Sequence, residues 1–166
     1  MQKVLEDIAE KALQQHIVIA TAESCTGGWI AQQLTELSGS SAWFDRGFVT
    51  YSNEAKQQML GVSAHTLEQH GAVSEAVVRE MAEGALANSS ANLAIAVSGI
   101  AGPTGGTAEK PVGLVWMAWA IKEGKVDAES QVFAGDRAEV RRQAVDHVLR
   151  GIAARISLSE KKCKKV

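Results

Sequence analysis

Thr21-Ala22-Glu23-Ser24-Cys25-Thr26-Gly27-Gly28 is the stretch whose reading decides the fold. The apolar run His16-Ile17-Val18-Ile19-Ala20 precedes it, and Trp29-Ile30-Ala31-Gln32-Gln33-Leu34 follows with apolar residues at helical spacing. A β-branched run, then small polar and glycine residues, then a helical pattern reads as strand, tight turn and helix. In α/β folds the strand ends open onto a crevice, where the first amides of the next helix are unpaired donors with partial positive charge. Two readings of Ser24 follow. As a nucleophile it meets an anion-stabilising nest of amides; as a helix cap, it or Thr26 satisfies those amides while the glycines let the chain turn.

Working outward, Met1 to Gln15 carries Leu5, Ile8, Ala9, Ala12 and Leu13 among alternating charges, the pattern of an amphipathic helix. On the other side, the helix from Gly27 ends near Leu37, because Ser38-Gly39-Ser40-Ser41 is a loop composition. Ala42 to Tyr51, rich in aromatic and β-branched residues, is the second strand. Ser52-Asn53 then caps a helix over Glu54 to Leu60, which Gly61 stops; this puts Tyr51 at a strand end and Lys56 about one turn into the helix.

Ser63 caps a further short helix closed by Gly71, and Val73-Ser74-Glu75 starts a longer one through Ala87. Leu93 to Val97 is a continuous apolar run, as for a central strand covered on both faces, and it runs into the glycine-rich loop Ser98 to Thr107. Val112 to Ile121 and Val126 to Phe133 read as an antiparallel hairpin, and Gly135-Asp136-Arg137 opens a last helix. The order α-β-α-β-α-α-α-β-β-β-α predicts an α/β protein: a three-layer α/β/α sandwich whose mixed sheet includes an antiparallel hairpin. Residues 1–158 read as a single domain, and 159–166, with four lysines, as a disordered tail.

Composition limits the function classes. With 166 residues, 46% of them apolar, the chain buries one core of ordinary size. A net charge of −2 gives no reason to expect nucleic-acid or membrane binding, so an anionic ligand must be held by local groups. The N-terminus lacks a signal-peptide core, and no apolar run reaches the roughly 18 residues of a spanning helix. Two cysteines, Cys25 and Cys163, make neither a disulfide framework nor a metal motif, which fits a reducing cytoplasm. His16, His65, His70 and His147 are scattered without ligand spacing, so no metal is expected.

The chemistry-bearing candidates gather at strand ends. Two glycine-rich loops, one holding Cys25, Thr26 and Gly27 and the other Gly99, Gly102, Thr104, Gly105 and Gly106, can converge on one ligand through free backbone amides; the plainer reading of the second is a mobile connection. It lacks the ending of a P-loop, and no dinucleotide fingerprint follows the first strand. A serine hydroxyl needs a base near neutral pH, and a lysine kept neutral by burial is one solution, so Lys56 is the candidate base and Tyr51 a candidate proton relay. A solvated helix lysine and a strand tyrosine are the plainer readings. There is no G-x-S-x-G elbow for a histidine triad, and Cys25 has no obvious histidine partner. Arg137 and Arg141 lie one helical turn apart, placed either to grip a phosphate or to form salt bridges.

These residues resemble the CinA C-terminal domain family, and within it the stand-alone nicotinamide-nucleotide amidohydrolases. The resemblance rests on Ala22 to Gly28, Gly47 to Lys56, Gly71 to Ser74, Ser98 to Gly106 and Gly135-Asp136-Arg137, and covers all but the lysine-rich end. It implies hydrolysis of the carboxamide of nicotinamide mononucleotide to nicotinic acid mononucleotide and ammonia, a pyridine-nucleotide salvage step without a cofactor. The family's serine, tyrosine and lysine fall on Ser24, Tyr51 and Lys56. Amides near Thr26 and Gly27 would then stabilise the oxyanion, and the Gly102 to Gly106 loop with Arg137 or Arg141 would hold the phosphate. The resemblance also implies a homo-oligomer. A reading of a different class keeps the same loops as a non-catalytic nucleotide-binding module in which Ser24 is only a cap.

Overall fold

The computed structural model describes residues 1–163, with side chains as far as 157. The elements come in the expected order: α1 (Gln2–Gln14), β1 (Ile19–Glu23), α2 (Trp29–Leu34), β2 (Phe44–Val49), α3 (Asn53–Leu60), α4 (Ala64–His70), α5 (Glu75–Ala87), β3 (Leu93–Gly99), β4 (Leu114–Ile121), β5 (Val126–Val132) and α6 (Arg137–Cys163). A short 3-10 turn at Ser40–Ala42 leads into β2. The helix α6 continues through Cys163, past the point where the sequence reading began a tail; residues 164–166 of that tail lie outside the described residues.

The strands form one five-stranded sheet in the order β2-β1-β3-β4-β5. β1 is parallel to both β2 and β3, while β3-β4 and β4-β5 are antiparallel, so the hairpin lies at one side of a mixed sheet. Parallel neighbours require crossovers, and right-handed crossovers running to either side of β1 place their helices on opposite faces. One face carries α1, α2 and α6 over Ile19, Ile95, Val97, Met117 and Trp119. The other carries α3, α4 and α5 over Ala22, Ala94, Ala96, Ala118 and Ala120. Alternate residues of β3 feed the two cores, as the twofold repeat of a strand requires.

Several boundaries differ from the sequence reading: β2 spans Phe44–Val49, not Ala42 to Tyr51, which leaves Tyr51 two residues past the strand, and two further differences shape the first turn. Strand β1 begins at Ile19, not His16, because the amide of Ile17 still bonds to Ala12 at the end of α1 and His16 takes a left-handed φ of 55°. Helix α2 spans Trp29–Leu34, not Gly27 to Leu37, because Gly27 and Gly28 both have positive φ, 63° and 95°, and stay outside it. The shift of β1 moves Glu23 into the strand. Its register partners are Val49 on β2 and Val97 on β3, so the carboxyl ends of all three parallel strands stand side by side. In an open α/β sheet, that end of a strand flanked by crossovers in both directions is where a ligand crevice forms.

Candidate active site

Ser24 is the first residue past β1. Its amide donates to Val97 on β3 at 3.0 Å, and its carbonyl accepts from the Gly27 amide at 3.1 Å, which closes a tight turn under the side chain. Ser24 is 9% exposed. Lys56 reaches it from the opposite direction. The sequence expectation for α3 holds: Ser52 Oγ accepts from the Ala55 amide, which starts the helix, and Gly61 ends it in the left-handed region. Lys56 therefore lies one turn inside α3, on the side facing the sheet, and is 1% exposed.

Its Nζ lies 3.1 Å from Ser24 Oγ and 2.8 Å from the carbonyl oxygen of Thr50. Burial pushes the amine below its usual 10.5, against a smaller opposing pull from Cys25. Desolvation disfavours the charged form, so such a lysine is available as a base nearer neutrality. Nζ donates to both oxygens; once it gives up a proton, the amine can keep Thr50 as its acceptor and turn a lone pair to the serine hydroxyl. Neither plainer reading fits these positions: Lys56 is not solvated, and Ser24 does not cap α2.

Glu23 caps the turn instead, a role that the sequence reading missed. Its Oε2 accepts from Thr26 Oγ1 at 2.6 Å, from the Gly28 amide at 3.1 Å and from the Ile30 amide at 3.0 Å, and its Oε1 accepts from the Ala31 amide at 2.8 Å. The available signal was an acidic residue shortly before a glycine pair that opens a helix, where a negative charge meets the positive end of the helix dipole. Cys25, next to Ser24, is buried, and that burial pushes its thiol up to about 12. A thiol so held has little thiolate near neutral pH, whereas the hydroxyl beside it has an amine within hydrogen-bonding distance.

Tyr51, two residues past β2, is 61% exposed. Its hydroxyl accepts from Arg137 Nη2 at 2.8 Å and does not meet the Ser24–Lys56 pair. Arg137 Nη1 donates to the Gly102 carbonyl at 3.0 Å. Arg141, one turn further along α6, donates from Nε to the Cys25 carbonyl and from Nη2 to the Thr26 carbonyl, both at 3.0 Å, and lies over the Trp29 ring. Of the two arrangements expected from sequence, the salt bridges are not formed among the described residues. Both arginines brace backbone carbonyls, so that one turn of α6 ties the first glycine loop to the second.

Gly99 ends β3 and packs on β4 so closely that a side chain would strike Val115. Gly102 has φ 80° and lies against Val112, while Thr104, Gly105 and Gly106 are exposed. The second loop thus reaches the rim through Gly102 and leaves its tip in solvent. Among the described residues, no cluster of three or more His, Cys, Asp or Glu side chains is placed to hold a metal ion, and no helix is long and apolar enough to cross a membrane.

Sheet order and site together define an α/β protein with a buried serine–lysine pair at the carboxyl end of its central parallel strand. The chain belongs to the CinA C-terminal domain family, whose sequence profile matches residues 1–156. A protein of Escherichia coli K12 named nicotinamide-nucleotide amidohydrolase PncC is 54% identical over 149 residues, which is 90% of each chain. The protein of the same name from Pseudomonas putida is 53% identical over 134 residues, 81% of this chain and 83% of its own. Among solved structures, the competence damage-inducible protein A from Klebsiella pneumoniae superposes with a TM-score of 0.90 at 41% identity, over 93% of this chain and 96% of its own. The mixed sheet with helices on both faces is the architecture they share.

Proposed function

We propose that this chain is a nicotinamide-nucleotide amidohydrolase, which converts nicotinamide mononucleotide and water to nicotinic acid mononucleotide and ammonia. The reading rests on the relatives' activity and on one observation, the buried amine of Lys56 at 3.1 Å from Ser24 Oγ. Neutral Lys56 takes the Ser24 proton as Oγ attacks the carboxamide carbon, and the oxygen that becomes negative is met by backbone amides of the turn. Lys56 then returns the proton to the departing nitrogen as the carbon–nitrogen bond breaks. Water, activated by the same amine, releases the acyl group from Ser24 as the carboxylate.

Tyr51 enters this scheme from the family resemblance as an aid to Lys56. With its hydroxyl on Arg137, it joins the proton path only after that bond opens, and binding of an anionic substrate by Arg137 supplies the occasion. Arg137 and the Gly102 to Gly106 loop are the proposed phosphate holders. Arg141, committed to the Cys25 and Thr26 carbonyls, supports the turn and leaves that task to its neighbour.

The test is ammonia release from nicotinamide mononucleotide by purified protein, wild type against Ser24→Ala, with and without a chelator. Turnover that persists with chelator and vanishes with the serine is the expected result. Tight binding of the nucleotide without release of ammonia would instead make the chain a non-catalytic binding module.

A further inference from the structure

Glu23 is 1% exposed and lies where an unpaired charge is strongly destabilising. Capping a helix start takes a single side-chain oxygen, which a serine or threonine supplies without a charge. This carboxylate instead gathers the four donors described above, spread over residues 26 to 31 and across the two glycines whose φ values of 63° and 95° leave the turn little stiffness of its own. The same residue also reaches the base. Its backbone carbonyl accepts from the Thr50 amide at 2.8 Å, and the Thr50 carbonyl is the anchor of Lys56 Nζ.

We infer that Glu23 is a positioning residue for the hydrolysis: its carboxylate locks the turn so that Ser24 Oγ stays on Lys56 and the remaining free amides face the developing oxyanion. The inference rests on the amidohydrolase reading. Glu23 takes the amides of Gly28, Ile30 and Ala31, and the Gly27 amide is used on the Ser24 carbonyl. The Cys25 amide meets only its own thiol and the Thr26 amide has no carbonyl or carboxylate acceptor among the described residues, so these are the donors left for the oxyanion. This moves the role one residue back from the sequence expectation, which set it near Thr26 and Gly27. A carboxylate already seated on the start of α2 also turns the substrate's phosphate away from it, toward Arg137.

Glu23→Gln keeps the shape but presents an NH2 group to donors that need an acceptor. Displacement of the nucleophile on the ångström scale is expected to lower kcat about 100-fold. KM for nicotinamide mononucleotide should stay within about threefold, the signature of an interaction that matters in the transition state. Covalent labelling of Ser24 by a small phosphonofluoridate, followed by intact-protein mass spectrometry, should slow in parallel. A second pair of variants guards against misfolding: Thr26→Val, which deletes one donor to the carboxylate, should lower kcat about tenfold, and Thr26→Ser should restore it.

A merely structural Glu23 would lower the melting temperature while leaving kcat per folded site and the labelling rate unchanged, and that result overturns the inference. If Glu23→Gln does not fold, equal kcat in Thr26→Val and wild type overturns it. Wild-type protein that releases no ammonia defeats the proposed reaction itself. Labelling then decides alone: equal rates in wild type and variants, or no labelling of wild type, leaves Glu23 without the role.

Discussion

The floor and the rim of this site handle charge in opposite ways. On the floor, Ser24 and Lys56 are withdrawn from water and fixed by backbone groups, and the amine is kept toward its neutral form by burial. At the rim, Tyr51 and Arg137 stand in solvent, joined to each other by one side-chain hydrogen bond. A base made by desolvation works only while water and countercharge are kept from it, whereas a phosphate-bearing substrate needs a cation within reach of solvent. In the proposed reaction the two requirements fall on different elements: α3 brings the base, and α6 brings the cation.

The sharpest way to break this contrast is to remove a floor group. Ser24→Ala and Lys56→Ala should each lower kcat for ammonia release by about 10³-fold or more, with circular dichroism showing a retained fold. Lys56→Arg should be equally inactive, since a guanidinium does not give up its proton. A rate within tenfold of wild type in any of these would dissolve the distinction. In the wild type, kcat/KM should fall as pH drops and Lys56 takes up a proton, along a limb lying below the ordinary lysine value of 10.5.

Tyr51→Phe comes next. A rim residue that joins the proton path only with substrate bound should cost about 10- to 100-fold in kcat. A change confined to KM would leave it a rim residue alone. Arg137→Ala should act mainly on binding: KM for nicotinamide mononucleotide rises about tenfold, and no comparable rise occurs for nicotinamide riboside, which lacks the phosphate. Equal losses for both substrates would take the phosphate away from Arg137.

The smallest effect is on stability. Because Lys56 holds its proton less tightly folded than unfolded, the unfolded chain binds more protons between the lowered folded value and 10.5, and stability rises with pH across that window. Below the window the penalty is complete. Lys56→Met, of similar length, should therefore raise the melting temperature at neutral pH by about 2–4 °C, with the gain shrinking as pH approaches 10.5. A gain independent of pH would mean that the cost of Lys56 is not one of charge.

Much of this arrangement is legible in the order of residues. Serines at 52, 63 and 74 start α3, α4 and α5 through their side chains, and glycines at 61 and 71 close α3 and α4, so these helices have local signals that tertiary packing does not override. The beginning of β1 was harder, because Ile17 and Val18 are as β-branched as the strand itself and are held outside it by α1 and by Asn92, far along the chain. That misplacement hid Glu23, which looks like a solvated acid unless it is known to end a buried strand. Ser24 and Lys56 were recognisable by type, but their meeting depends on a crossover that no local pattern encodes. The arginines show the same limit: their spacing puts them on one face of α6, and only the folded turn supplies the carbonyls that they hold.

The alanines beneath α5 have an effect at a distance. A methyl group at Gly84 would collide with the carbonyl of Leu60, the last residue of α3, so the two helices touch through their backbones. Small residues thus act as a spacer gauge that sets how low α3 rides over the sheet, and with it how far the Lys56 amine hangs above the serine. Enlarging Gly84 or one of the alanines, none of which need touch a substrate, would lift the Lys56 amine off Ser24; under the proposed reaction the dimensions of the inner wall belong to the catalytic geometry.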